Sequence, residues 1–345
     1  MAGTPLHQLG PLLESIDQSM LNLGDIDHQS IAGAITTGTH GTGAKLSCLS
    51  HLIKSMTLIA VDGSVIECSA SHNRELFNAA RVSLGALGII TEIELQNRPK
   101  YRLKESIDVV PLKEALTNIE TWKHQHRHVE LFAFGYSDQA ILKTLNITEE
   151  APFQAKAPLI SDDSLLTLFC EVTRKAPKLT SLIHHQIFRF IKPSSRVDES
   201  YKALTSVRNV RFNEMEYQVS ADTGPECFER IINHIQKHKL PAFFPIEYRY
   251  VAGDDIWLSP FYKRDSASIS IHQYYKQDYH GLFGELEPIF DDYQGRPHWG
   301  KIHTKEQEQL SEMYPHWETF QAIRQELDPK NQLLNTALSA IFKKP

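Results

Sequence analysis

The chain has 345 residues, 41% of them hydrophobic and 23% charged, with a formal charge of −6, a profile that suits a folded protein of two lobes. That acidic balance argues against a basic nucleic-acid-binding surface, and no apolar run approaches the length of a membrane span. Four scattered cysteines without a Cys-x-x-Cys pair, behind an N-terminus with no basic-then-apolar leader, predict a cytoplasmic protein with reduced, partly buried thiols.

Leu6, Leu9, Leu12, Leu13 and Ile16 fall at helical spacing and predict a helix over 5–18. Residues 29–43 then read Gln-Ser-Ile-Ala-Gly-Ala-Ile-Thr-Thr-Gly-Thr-His-Gly-Thr-Gly. Here Gly33, Gly38, Gly41 and Gly43 let backbone amides approach a ligand, while Thr36, Thr37, Thr39 and Thr42 add hydroxyls around the imidazole of His40. This chemistry suits a flat, phosphorylated cofactor. The segment has neither the Gly-Lys-Ser/Thr of a Walker loop nor the Gly-x-Gly-x-x-Gly order, and taken alone it also fits a glycine-rich connector. An apolar strand over 56–61, a turn at Asp62-Gly63 and a return from Val65 predict a hairpin. A helix over 74–82, Gly85-Ala86-Leu87-Gly88 and a strand over 89–95 complete this part near Arg98-Pro99.

From about residue 101 the rhythm changes. Predicted strands at 105–110, 129–135, 214–220, 245–250 and 267–275 alternate with predicted helices at 111–123, 164–191, 225–238 and 280–291. This is the pattern of an antiparallel sheet backed by helices, an α+β cap over a site. Residues 147–163 read as a loose excursion, and 305–341 as helical, with 306–312 a solvated helix face. Alternation on the strand at 245–250 puts Glu247 and Arg249 on one face, opposite Ile246, Tyr248 and Tyr250. A carboxylate beside a guanidinium can grip a polyol by accepting from and donating to its hydroxyls, although the pair also fits a surface ion pair. Ser268, Ser270 and His272 share a face in the same way; His272 can accept a hydroxyl proton or serve as a structural hydrogen-bonding residue. His298-Trp299-Gly300-Lys301 joins an aromatic, a residue that permits close approach and a fixed cation. The i, i+2 spacing of His124, His126 and His128, without acidic or thiolate neighbours, predicts no metal site, and His184-His185 reads as surface.

Asn22-Leu23-Gly24-Asp25-Ile26, Ile31-Ala32-Gly33-Ala34-Ile35, Thr39-His40-Gly41-Thr42-Gly43 and Ser83-Leu84-Gly85-Ala86-Leu87-Gly88-Ile89-Ile90-Thr91 occur in that order. They are followed by His298-Trp299-Gly300-Lys301, Tyr314-Pro315, Arg324, Leu327-Asp328-Pro329 and Leu334-Asn335. The series resembles the D-arabinono-1,4-lactone, L-gulonolactone and alditol oxidases, FAD enzymes of the vanillyl-alcohol oxidase type. The resemblance implies an α+β fold: part of a PCMH-type FAD-binding domain over 1–99, a cap domain with an antiparallel sheet over 100–304, and a segment over 305–345 whose helices return to the FAD domain. It implies oxidation of a CH–OH group on a sugar-derived lactone or polyol by hydride transfer to flavin N5, with oxygen or another acceptor restoring the flavin. Cofactor contacts are then expected from Ile31, Ala32, Gly33, Thr36, Thr39, His40, Gly41, Thr42, Gly85, Gly88, Ile89 and Asn335. Substrate contacts are expected from Thr42, Glu247, Arg249, Ser270, His272 and Lys301. Of these, Arg249, Lys301, His272 and Glu247 would act in catalysis, Lys301 by stabilising the anionic reduced ring. The chain begins inside the family's first domain, so the expectation is a truncated oxidase; the alternative is a non-catalytic remnant that does not bind FAD alone.

Overall fold

The computed structural model describes residues 1–153, 162–206 and 209–343. The first hundred residues form α1 (Leu6–Glu14), β1 (Gln18–Ser19), α2 (Ile31–Thr36), β2 (Ile53–Ile59), β3 (Val65–Ser69), α3 (Arg74–Ala80), β4 (Ile89–Leu95) and β5 (Arg98–Pro99). β2 lies between β3 and β4 in an antiparallel sheet, and the Asp62-Gly63 turn brings Ile59 opposite Val65. Gly63 takes φ +86°, a conformation that favours glycine, and the Asp62 carboxylate accepts the Ser64 N–H at 2.9 Å. α1 is shorter than its periodicity predicts, because the chain turns at Asp17 with φ +58° and leaves Leu12 and Ile16 exposed.

The chain then forms β6 (Arg102–Pro111), α4 (Leu112–Gln125), β7 (His128–Ala133), β8 (Gln139–Thr148), α5 (Asp162–Lys175), α6 (Thr180–Ile187), β9 (Ser194–Glu199), α7 (Ser200–Leu204) and β10 (Phe212–Ser220). After these come α8 (Gly224–His238), β11 (Ile246–Val251), β12 (Ser266–Tyr274), α9 (His280–Asp292), β13 (Arg296–Pro297), α10 (Gln307–Met313), α11 (Trp317–Leu327) and α12 (Thr336–Phe342). Eight strands make one antiparallel sheet in the order β13-β10-β12-β11-β7-β8-β6-β9. One face carries Met215, Tyr217, Tyr248, Ile269 and Ile271 and is covered by Ile119 of α4, Phe228 and Ile231 of α8, and Phe290 of α9. Each such side chain contributes roughly 1.5–3 kcal/mol by leaving water, which fixes the strand register. The opposite face is polar and is nevertheless buried. It carries the candidate site.

A second core gathers Leu6, Ile31, Ile35, Phe77 and Leu87 with Trp317, Phe320 and Phe342 from the last helices. The C-terminal helices therefore pack on the first hundred residues, with Phe342 stacked between Trp317 and Phe320 at centroid distances of 5.5 and 5.4 Å. The predicted helix over 164–191 is broken: α5 ends at Lys175, Pro177 opens a short turn, and α6 begins at Thr180. Of the predicted excursion at 147–163, residues 147 and 148 belong to β8, Phe153 bridges Val197, and 154–161 lie outside the described residues. His184 is not on the surface. It is fully buried, one ring nitrogen 2.9 Å from the Phe243 carbonyl and the other accepting from the Tyr136 N–H at 3.3 Å. All four cysteines are free and fully buried, and burial pushes each thiol up to about 12.

Candidate active site

Strand register places charged and polar side chains side by side on the inner face of the large sheet. Gln218, Ser268, Arg249, Glu130 and Lys143 are successive partners across β10, β12, β11, β7 and β8. Glu216, Ser270 and Glu247 form the adjoining row, and Glu214 faces His272 beyond it. Period-two alternation makes these residues co-facial, and their opposites fill the apolar core.

Arg249 pairs with Glu247 on its own strand and with Glu130 at 3.2 Å. Lys143 lies 3.1 Å from Glu130 and 3.8 Å from Glu105, and Arg196 closes the series on Glu105 with bonds of 2.9 and 3.1 Å. Signs alternate along this row, as they must where an unpaired buried charge is costly. Burial works to raise the Glu130 carboxyl, but Lys143 and Arg249 outweigh it and hold the group below its ordinary value. Glu247 behaves differently. Its burial prevails over the attraction of Arg249, Glu130 adds repulsion, and the carboxyl is raised.

The glycine-rich segment docks directly on this face. The Gly43 N–H donates to the Tyr250 carbonyl at 2.7 Å, forming a parallel bridge to β11, and the Thr42 hydroxyl donates to the Val129 carbonyl at 2.6 Å. Behind it, a Cβ on Gly41 would stand 2.2 Å from the Leu23 carbonyl oxygen and 2.6 Å from Asn22 Oδ1, so Asn22-Leu23 requires glycine there. Asn22 also donates to the Thr42 carbonyl at 3.2 Å. The same Thr42 carbonyl faces His128 Nδ1 at 2.8 Å, and burial pushes His128 down to about 4.

His40 joins the two parts. Its Nε2 lies 2.6 Å from Glu216 Oε1 and its Nδ1 2.8 Å from the Gly41 carbonyl oxygen, so both ring nitrogens face acceptors. Gln218 and Ser268 donate to the same Glu216 oxygen at 2.7 and 2.9 Å. Burial would raise Glu216, but His40 and His298 hold it well below the usual carboxylate range. The His298 ring stands 5.7 Å from His40, and its Nδ1 accepts the Gly300 N–H at 3.0 Å. Burial pushes His298 down to about 4. His40, Glu216 and His298 bring potential ligand atoms within 4.8 Å of one another, but these hydrogen bonds already engage all three. Lys301, three residues on, pairs with Glu214, whose other carboxylate oxygen is 3.5 Å from His272 Nε2. Burial opposes ionisation of Glu214, but Lys301 and His272 prevail and hold it far below its ordinary value. His272 Nδ1 faces the Pro245 carbonyl at 3.2 Å.

Thr42, His40, Glu247, Arg249, Ser270, His272 and Lys301 therefore converge on one face, with Trp299 anchored beside them by donation to the Leu258 carbonyl at 2.6 Å. The remaining expected contacts are dispersed. Thr36 bonds back to the Ala32 carbonyl at 2.9 Å, and Thr39 donates to Gln29 at 3.4 Å. Ile31 is a core residue, Ala32 half-buried, and Gly33 exposed, its N–H spent on Ser30. Gly85 and Gly88 take φ +77° and +147° around the turn into β4, and Ile89 is exposed. Asn335 is exposed and caps α12 by accepting the Leu338 N–H at 2.9 Å. Sequence reasoning missed Glu214, Glu216 and Glu130. For Glu214 and Glu216 the signal was the strand Glu214-Met215-Glu216-Tyr217-Gln218-Val219, in which polar and apolar residues alternate, and for Glu130 the stretch Val129-Glu130-Leu131 of β7.

Residues 93–341 match the family described as D-arabinono-1,4-lactone oxidase. The chain is 37% identical over 338 residues to an L-gulono-1,4-lactone dehydrogenase of Mycobacterium tuberculosis, covering 96% of this chain and 78% of that one. It is 31% identical to an L-gulonolactone oxidase of Mus musculus, covering 99% of this chain and 80% of that one. In fold it superposes on cholesterol oxidase from Brevibacterium sterolicum with a TM-score of 0.79 at 14% identity, over 99% of this chain and 80% of that one.

Proposed function

The chain belongs to the D-arabinono-1,4-lactone oxidase family, and on that premise we propose that it is an FAD-dependent oxidoreductase that oxidises a CH–OH group of a sugar-derived lactone or polyol. The observation that carries this reading is the Glu247–Arg249 pair, buried on the strand that the glycine-rich segment bridges. A cation and a carboxylate removed from water recognise hydroxyls and a lactone carbonyl more strongly than a solvated pair would.

The residues present fit a polar heteroaromatic ring. Gln218 Oε1 and His128 Nε2 are buried without a hydrogen-bond partner among the described residues, and Lys301 supplies a held cation on the same side. His40, Thr42, Trp299 and Lys301 are the residues that would hold the ring. FAD, when bound there, supplies the two-electron acceptor that no side chain provides.

Arg249 orients the substrate by donating to its oxygens, and Glu130 keeps the guanidinium aligned. Glu247 is the better proton acceptor of the two candidates. Its raised carboxyl can take a hydroxyl proton, whereas both nitrogens of His272 face oxygen acceptors. In this reading His272 and Glu214 position Lys301, and Lys301 holds positive charge where negative charge develops. Closure of the sheet over the glycine-rich segment excludes water from the reacting carbon. The test is turnover by the FAD-supplemented protein against a panel of aldonolactones and alditols. Oxidation of either class supports the proposal; failure on every member, with flavin bound, overturns it.

A further inference from the structure

We infer that the helical segment 177–190 docks on an anionic phospholipid bilayer. Residues 172–197 contain six Lys or Arg and no Asp or Glu, in a chain whose net charge is −6. Two of the six are spent on acids: Arg174 pairs with Glu171 at 2.8 Å, and Arg196 with Glu105. The other four, Lys175, Lys178, Arg189 and Lys192, are exposed and form no ion pair among the described residues. Helical spacing puts Lys178, Leu182, His185 and Arg189 on one face of α6 and its flanking turns, and His184 and Ile187 on the buried one. Beside the cations, Leu179, Leu182 and Phe190 are 40%, 60% and 62% exposed. Apolar tips set among unpaired cations match an interface of acyl chains under anionic headgroups. A nucleic acid would leave Leu182 and Phe190 without a partner, and two copies of this face would oppose cation to cation. No helix of the described residues is long and apolar enough to cross a membrane, so the segment lies on the bilayer.

The experiment is flotation of the full chain with vesicles of phosphatidylcholine alone and of phosphatidylcholine mixed equally with phosphatidylglycerol. The expected result is binding to the mixed vesicles only, weakened at least about tenfold by K178E with K192E, since each cation near such a surface is worth about fivefold. L182S with F190S should weaken it while leaving the circular dichroism spectrum unchanged. Equal binding to both vesicle types overturns the inference, as does no binding, or binding insensitive to both double variants. Self-association or nucleic-acid binding abolished by these substitutions, without vesicle binding, also overturns it. Lactone oxidation is not an input to any arm, so failure here leaves the proposed activity standing.

Discussion

Arg249 is held by Glu247 and by Glu130 at 3.2 Å, so on the proposed reading its loss removes the substrate contacts, takes the paired cation from the buried Glu247 and leaves Glu130 with Lys143. Arg249→Ala is expected to lower kcat/KM by at least about a hundredfold, whereas Glu130→Gln should affect orientation and cost less. Steady-state kinetics with a lactone substrate check both. Glu247→Gln should remove the acidic limb of the kcat/KM profile, which burial of the Glu247 carboxyl shifts upward from its ordinary position. A limb that survives the substitution assigns the proton elsewhere. Lys301→Met should slow flavin reduction by about a hundredfold while substrate affinity changes little, read by anaerobic stopped flow. At this scale alternation and a compact motif singled out Glu247, Arg249, His272 and Lys301, which the structure brings to one face. The sequence was silent where a partner is distant: the burial of His184 depends on the Phe243 carbonyl, 59 residues away. Glu214 and Glu216 were not singled out because their counter-charges, Lys301 and His40, come from distant parts of the chain.

Strands with one apolar face were legible and strands without one were not. β10, β11 and β12 alternate cleanly, and their predicted ranges agree with the structure to within a few residues. β8 was missed because Ile141 and Leu145 accompany Ala140 and Leu142, which makes both faces apolar and removes the period-two signal. β9, Ser-Ser-Arg-Val-Asp-Glu, is paired with β6 and bridged by Phe153 at the end of the sheet, and its single apolar residue, Val197, gives no pattern. The packing of these elements makes its own prediction. A Cβ on Gly224, at the start of α8, would stand 2.3 Å from Ala267 Cβ and 2.4 Å from the Tyr248 hydroxyl. Gly224→Ala should destabilise the cap by roughly 1–3 kcal/mol through overpacking. A urea midpoint unchanged by this substitution would show that helix and sheet are not in contact there.

Across the whole molecule, three buried histidines, His128, His184 and His298, are each pushed down to about 4 by burial. Because the unfolded chain binds these protons more tightly, the neutral rings contribute stability that is complete above about pH 6.5 and is lost as the pH falls towards 4. Each contributes on the order of 3 kcal/mol at most, so Tm should fall steeply across that window. Replacing His184 with Gln should flatten the fall, and a Tm independent of pH between about 6.5 and 4 would contradict it. The account as a whole rests on Thr42, His40, the Glu247–Arg249 pair and Lys301 acting as one site assembled from both cores. The direct measurement is anaerobic mixing of an aldono-1,4-lactone with FAD-loaded protein, wild type beside Arg249→Ala. Bleaching of the flavin absorbance by the wild type and its near-abolition in the variant, with the oxidised spectra identical beforehand, is the predicted result. Equal bleaching in both proteins would contradict it.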